Sequence, residues 1–99
     1  MTPYRASKKR LEEWEAVFRA LAHPGRRQIL LILHYRGGSM SAGDIAARFS
    51  HAWPTTTRHL GVLQKAGLVT RTREGREQRY ELCREHLLGV TGDWLGAFG

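Results

Sequence analysis

Residues 41–67, SAGDIAARFSHAWPTTTRHLGVLQKAG, hold two helical patterns separated by only a few residues, and no other stretch limits the possible folds as strongly. Ser41 followed three residues later by Asp44 has the form of a capping box with aspartate in place of glutamate, and Ile45, Ala46 and Phe49 then supply an apolar face. After the break SHAW, Pro54 suits the first turn of a second helix, where its missing N–H has no intrahelical partner, and Thr56, Leu60, Leu63 and Gly67 lie along one side. Two short helices joined this tightly are a helix-turn-helix candidate.

The second of these helices begins unusually for a core element, because three threonines, an arginine and a histidine precede its leucine spacing. At roughly 100° per residue, Leu60 and Leu63 define the core side and leave Pro54, Arg58, Gly61 and Lys65 at the centre of the opposite face, flanked by Thr55 and Thr57. Small hydroxyl side chains let a helix sit deep in a major groove, arginine pairs with guanine, and a helix N-terminus favours phosphate. From the sequence alone, Arg58 is open to two readings, a base contact or a solvated charge. His59 next to it is open to DNA contact or to a structural hydrogen bond.

Charge supports the first reading. The chain carries a formal +7, and thirteen of its sixteen basic residues are arginine, whose planar fork suits phosphate and base edges. The excess sits in two segments: +4 over residues 1–10 and +4 over 51–80, against +1 over 11–50 and −2 over 81–99. A polyanionic partner is expected at 51–80, the segment that contains the polar-fronted helix.

The flanking elements follow from spacing. Ser7 suits the N-cap of a first helix with Leu11, Trp14, Val17, Phe18 and Leu21 on one face; residues 1–6 before it are expected to form a flexible basic arm. His23 and Pro24 break that helix, and a second runs to about Arg36, where glycine ends it. Its ILLIL run has no polar face, so it is expected to be the buried middle of the core. After Gly67, LVTRTR, EGRE and QRYELC read as strand, turn and strand, and from Arg84 the spacing of Leu87, Val90, Trp94 and Phe98 gives a closing helix.

The expected fold is therefore mainly α with a small β-hairpin: five helices plus a two-stranded wing in one domain over residues 1–99, a winged helix-turn-helix. The helix-turn-helix spans 41–67, the wing 68–83 and the outer helices 7–22 and 84–98. A single cysteine, Cys83, excludes an internal disulfide framework. The longest apolar run, Ile29 to Leu33, is far too short to cross a bilayer, and no secretory leader is visible, so the expectation is a cytoplasmic protein with no membrane association. Paired carboxylates, an activated nucleophile and a phosphate-cradling glycine loop are all missing from the sequence, so an enzyme is not expected.

The runs FRALAHPGRRQILLIL and MSAGDIAARFSHAWPTTTRHLGVLQKAGLVTRTREGREQRYEL resemble the ArsR/SmtB family of bacterial winged-helix repressors, over roughly Leu11 to Phe98. The resemblance implies a homodimer, built from the first and last helices, that binds a pseudo-palindromic operator in double-stranded DNA. Trp53, Thr55, Thr57, Arg58, His59 and Lys65 would then contact DNA from the recognition helix, and Arg71, Arg73, Arg76 and Arg79 from the wing. Trp14, Phe18, Leu87, Trp94, Leu95 and Phe98 would form the dimer interface; five of these are more large apolar side chains than two peripheral helices of a small domain need for themselves.

Two departures from the family pattern matter. Gly61 stands where relatives often carry a polar residue, and Trp53 where a small polar one is common. Many members of the family sense metals, but the expected paired cysteines near 41–48 are replaced by SAGDIAAR, and the last helix offers only His86 and Asp93. No metal and no cofactor are expected, and the sequence points to no inducer. The alternatives are a repressor that senses an organic ligand or the oxidation of Cys83, and a winged-helix interaction module without DNA binding.

Overall fold

The computed structural model describes residues 6–49 and 52–99. The expected basic arm lies outside the described residues except for Ala6, as do Ser50 and His51 of the SHAW connection. Five helices and three strands follow in the order α1 (Lys8–Leu21), α2 (Pro24–Tyr35), β1 (Ser39–Ser41), α3 (Ala42–Ala47), α4 (Trp53–Lys65), β2 (Val69–Glu74), β3 (Glu77–Leu82) and α5 (Arg84–Gly96).

Local chemistry sets most of these boundaries. The Ser7 hydroxyl accepts from the Arg10 N–H at 3.1 Å, and the Ser41 hydroxyl accepts from the Asp44 N–H at 3.1 Å, so both expected N-caps form. His23 caps α2 through its ring, with Nδ1 accepting from Gly25 N–H at 2.9 Å. Helix α4 ends in a Schellman motif: Leu68 N–H donates to Leu63 O at 2.9 Å and Gly67 N–H to Gln64 O at 3.0 Å, with Gly67 at φ 77°. Leu63 and Leu68, the apolar pair such a motif brings together, are both fully buried.

The expected two-stranded wing forms as β2 and β3, and a third strand joins it. The sheet order is β1-β3-β2, with Met40 opposite Tyr80 in one antiparallel pair and Arg71 opposite Tyr80 in the other. The strand missed in the sequence, SMS, is three residues long and shows no alternation to read. It pins the start of α3 to the wing, because Ser41 is both the last residue of β1 and the N-cap of α3. The β2–β3 turn is the two-residue kind, with Gly75 at φ 63° supplying the left-handed conformation that a side chain would resist.

Trp14, Val17, Ala20, Ile29, Leu30, Leu33, Ile45, Leu60, Leu63, Leu68, Val69, Tyr80 and Val90 make one core drawn from every helix and from the sheet. The ILLIL run of α2 is not buried throughout: Leu31 is 55% exposed and projects outward with Tyr35. An entirely apolar run has no face from which its covered side could be read, and α2 lies at the margin of the core. Arg26 and Arg27 turn back onto α1, where they donate to the carbonyls of Ala20 and Leu21 at 2.7 Å each, satisfying acceptors at the end of that helix.

Candidate nucleic-acid interface

Helix α4 divides as its spacing predicts. Thr56, His59, Leu60 and Leu63 are buried, while Pro54, Thr57, Arg58 and Lys65 are exposed and Thr55 and Gly61 are half-exposed. Arg58 therefore points to solvent from the middle of a continuous outward face. A Cβ added at Gly61 would meet nothing within 4 Å, so no part of the subunit requires glycine there. Trp53, at the first position of the helix, leaves 54% of its surface exposed.

His59 departs from its expected place. It is 7% exposed, on the inner side of α4, with its ring 4.3 Å from that of His23 and its Nδ1 3.4 Å from Nη1 of Arg26. Contact with DNA from that position would require it to leave the core, so it drops out of the interface. The sequence contained the signal: at roughly 100° per residue His59 falls about 40° from Leu63 on the helical projection, beside the leucine stripe rather than opposite it.

The wing does not bring its four arginines together. Arg71 and Arg73 share one face of β2, and Arg79 lies opposite Thr72 on the other face. Arg79 is also engaged, its Nε 3.3 Å from the Ser39 hydroxyl and 3.9 Å from a carboxylate oxygen of Glu74. The Arg73 Nε donates to Gly75 O at 3.1 Å, folding over the turn, where Arg76 is exposed. Arg71, Arg73 and Arg76 are thus exposed, the last two at the turn, and Arg79 braces β3 against β1.

A second surface lies along α1 and α5. Phe18 and Trp94 meet edge to face at 5.1 Å, Trp94 and Phe98 at 4.9 Å, and the patch continues over Leu95 and Phe98, which are 59% and 74% exposed. Leu88, which the sequence did not single out, is also exposed. Two residues expected there are used differently. Trp14 is 8% exposed and belongs to the core, its indole N–H donating to Asp93 at 3.0 Å, and Leu87 packs half-buried against that core. Asp93 also accepts from Arg10, at 2.6 Å from Nε, which joins the two helices within one subunit. The Arg10 guanidinium, helped by the Trp14 N–H, holds the Asp93 carboxyl below the usual carboxylate range against the opposing effect of burial.

The donor groups considered for a metal are dispersed. Asp44 sits in the first turn of α3, His86 packs against Gly67, and Asp93 is held by Arg10 and Trp14. Among the described residues no three His, Cys, Asp or Glu side chains converge. Burial, and then Glu81, push the Cys83 thiol above its ordinary range, which disfavours the reactive thiolate. Among the described residues no helix is long and apolar enough to cross a membrane.

Comparison with known proteins agrees with this arrangement. Residues 21–72 match the family described as a helix-turn-helix domain. The chain is 41% identical over 66 residues to the transcriptional repressor SdpR of Bacillus subtilis, covering 67% of this chain and 71% of the relative. It is 34% identical over 83 residues to the biofilm growth-associated repressor of Agrobacterium fabrum, covering 84% and 69%. An ArsR-like transcriptional regulator from a Rhodococcus species superposes with a TM-score of 0.74 at 33% identity, over 88% of this chain and 82% of that one. A homodimeric winged helix-turn-helix DNA-binding domain from Mycobacterium bovis, a possible ArsR-family regulator, does so with a TM-score of 0.73 at 26% identity, over 97% and 90%. With a matched domain over more than half its length, the winged-helix topology and these relatives, the chain belongs to the ArsR/SmtB family of winged helix-turn-helix transcriptional regulators.

Proposed function

We propose that the protein is a homodimeric, metal-independent repressor that binds a pseudo-palindromic operator through α4 and the wing. The observation that carries this reading is the outward face of α4, where Arg58 stands exposed among Pro54, Thr57, Gly61 and Lys65 with no subunit surface over it. In a major groove the Arg58 guanidinium would donate two parallel hydrogen bonds to O6 and N7 of a guanine. Thr55, Thr57 and Lys65 would take phosphates, and Trp53 a sugar or thymine methyl at the helix entry. Arg71, Arg73 and Arg76 would reach the flanking backbone.

The exposed apolar surface of Trp94, Leu95 and Phe98, with half-buried Phe18 against it, supports pairing of two copies, as in the homodimeric relative from Mycobacterium bovis. Twofold pairing presents two copies of α4 to successive major grooves about 10 bp apart, which makes the operator an inverted repeat. Occupancy of such a site blocks transcription, the activity named for the relatives from Bacillus subtilis and Agrobacterium fabrum. The proposed site of this activity is the cytoplasm. The dispersed donor groups support metal independence, and the raised Cys83 thiol weighs against regulation by its oxidation.

Selection of duplexes from a random library with the purified chain tests the reading. The expected result is an enriched inverted repeat whose affinity falls steeply with salt. Arg58→Ala should lose about 1–3 kcal/mol on that duplex and relax preference at one base position. A protein that binds no duplex at low ionic strength, or an Arg58→Ala variant with unchanged selectivity, refutes it. Zinc or cadmium added at stoichiometric amounts should leave the affinity unchanged.

A further inference from the structure

Pairing register divides the wing into two faces of unlike charge. Opposed residues of an antiparallel pair share a face, and successive residues of a strand alternate between faces. Val69 and Tyr80 turn into the core, so Arg71, opposite Tyr80, and Arg73, opposite Gln78, lie on the core side of the hairpin, where no carboxylate stands. The outer side carries Thr70 with Glu81, Thr72 with Arg79, and Glu74 with Glu77.

The two carboxylates nearest the tip run against the usual chemistry of hairpin pairing. Glu74 and Glu77 are directly opposed in the last pair before the turn, which sets their Cβ atoms about 5 Å apart, and like charges so placed are destabilising. Both are exposed. Arg79 relieves Glu74 only in part, since its Nε stands 3.9 Å from one carboxylate oxygen and is shared with the Ser39 hydroxyl. Among the described residues no cation lies within ion-pair distance of Glu77. Packing and pairing within the subunit give no reason for a second carboxylate there.

On DNA this arrangement has a direction. A duplex attracts the core-side face of Arg71 and Arg73 and repels an outer face bearing Glu74 and Glu77. In a specific complex, base contacts from α4 hold the subunit in one orientation, with the outer face of the wing turned away from the backbone. Complexes with unrelated DNA draw on phosphate attraction alone, so they include orientations that press the outer face onto phosphates. Only those orientations are penalised by the carboxylates.

We infer that the wing meets DNA through Arg76 at its turn and the face of Arg71 and Arg73, and that Glu74 and Glu77 on the opposite face are specificity-determining residues that act by repelling wrong orientations. The inference rests on the DNA binding proposed above and deepens it. Discrimination between two partners comes as well from clashes built against the wrong one as from contacts made to the right one, and the wing supplies the repulsive part.

The test measures affinity of the full chain for the duplex enriched by the selection above and for a scrambled duplex, by competition anisotropy at about 0.01 M and about 0.1 M salt, where the Debye length is about 30 Å and about 10 Å. A carboxylate about 6 Å from a phosphate in water costs about threefold in affinity. Glu77→Gln removes that cost, so affinity for the scrambled duplex should rise about threefold at the lower salt and less at the higher, while affinity for the enriched duplex holds. Glu77→Asp keeps the charge and should match the wild type. Because the site is exposed and the substitution relieves a repulsion, the melting temperature of Glu77→Gln should hold or rise. An equal gain on both duplexes, no gain on the scrambled one, or a gain shared by Glu77→Asp overturns the inference. A lower melting temperature overturns it too, since the carboxylate would then serve the fold. A wild type that binds no duplex sinks the DNA-binding reading, whereas one that prefers its enriched duplex by a ratio Glu77→Gln leaves untouched sinks this inference alone.

Discussion

Replacing Gly67 by alanine tests the junction between α4 and the wing. Gly67 sits at φ 77°, where an L-residue brings its Cβ against the following carbonyl at about 1–2 kcal/mol. The new methyl would also lie 3.2 Å from Cδ2 and Nε2 of His86, a half-buried side chain on α5 that can yield by a few tenths of an ångström. Displacing His86 from its rotamer adds about 0.5–1.5 kcal/mol, for a total of about 1.5–3.5 kcal/mol. Against a usual stability of about 5–15 kcal/mol the variant stays folded. Urea unfolding followed by circular dichroism, at one fixed protomer concentration because the proposed dimerisation would add to apparent stability, measures the loss. Repeating Gly67→Ala in a His86→Ala background separates the two contributions, since the backbone strain must persist there while the contact disappears. A loss under about 0.5 kcal/mol, or a loss wholly abolished by His86→Ala, would show that the left-handed conformation is not what requires glycine.

Four further outcomes follow from the same geometry. Gly61→Ala should stabilise the fold by about 1 kcal/mol, since its methyl meets open space in a helix, yet weaken duplex binding if the backbone approaches DNA there; thermal melting and fluorescence anisotropy read the two effects separately. Arg76→Ala should weaken all duplexes alike and reduce the slope of log affinity against log salt by about 1. Phe98→Asp places a charge in the exposed aromatic patch of α5, so sedimentation equilibrium should show monomers with unchanged helix content. Asp93→Asn removes a carboxylate whose depressed titration makes it stabilising above the ordinary range of about 3.9, a contribution lost as pH falls through the lower folded-state value. Its melting temperature should therefore drop at neutral pH and approach that of the wild type in acid; an equal drop at both would locate the effect elsewhere.

Much of the architecture was legible because it rests on neighbours a few residues apart. Ser7 and Ser41 cap helices through hydroxyls that reach the N–H three residues on, and Gly67 ends α4 by a conformation only glycine adopts freely. The outward face of α4 was readable because leucines recurring at helical spacing leave the opposite side undetermined by packing and available to Arg58. The wing turn was announced by a glycine between two alternating segments.

What tertiary structure alone decided involves partners distant in the chain. β1 is a strand because Met40 pairs with Tyr80, forty residues away, and three residues carry too short a pattern to show it. Leu31 is exposed and Leu30 buried within one apolar run, since only the placement of α1 and α4 determines which side is covered. Arg79 braces β1 while Arg76 faces outward, because pairing register sends neighbouring arginines of the hairpin to different surroundings. Trp14 and Phe18 share a helical stripe, yet packing against α5 buries Trp14 and leaves Phe18 half-buried beside Trp94. The sequence by itself determined the order and ends of the helices and the facing of α4 through short-range sterics, hydrogen bonding and apolar spacing. Burial and side-chain partnership were decided by the fold, because they depend on long-range packing that no local period encodes.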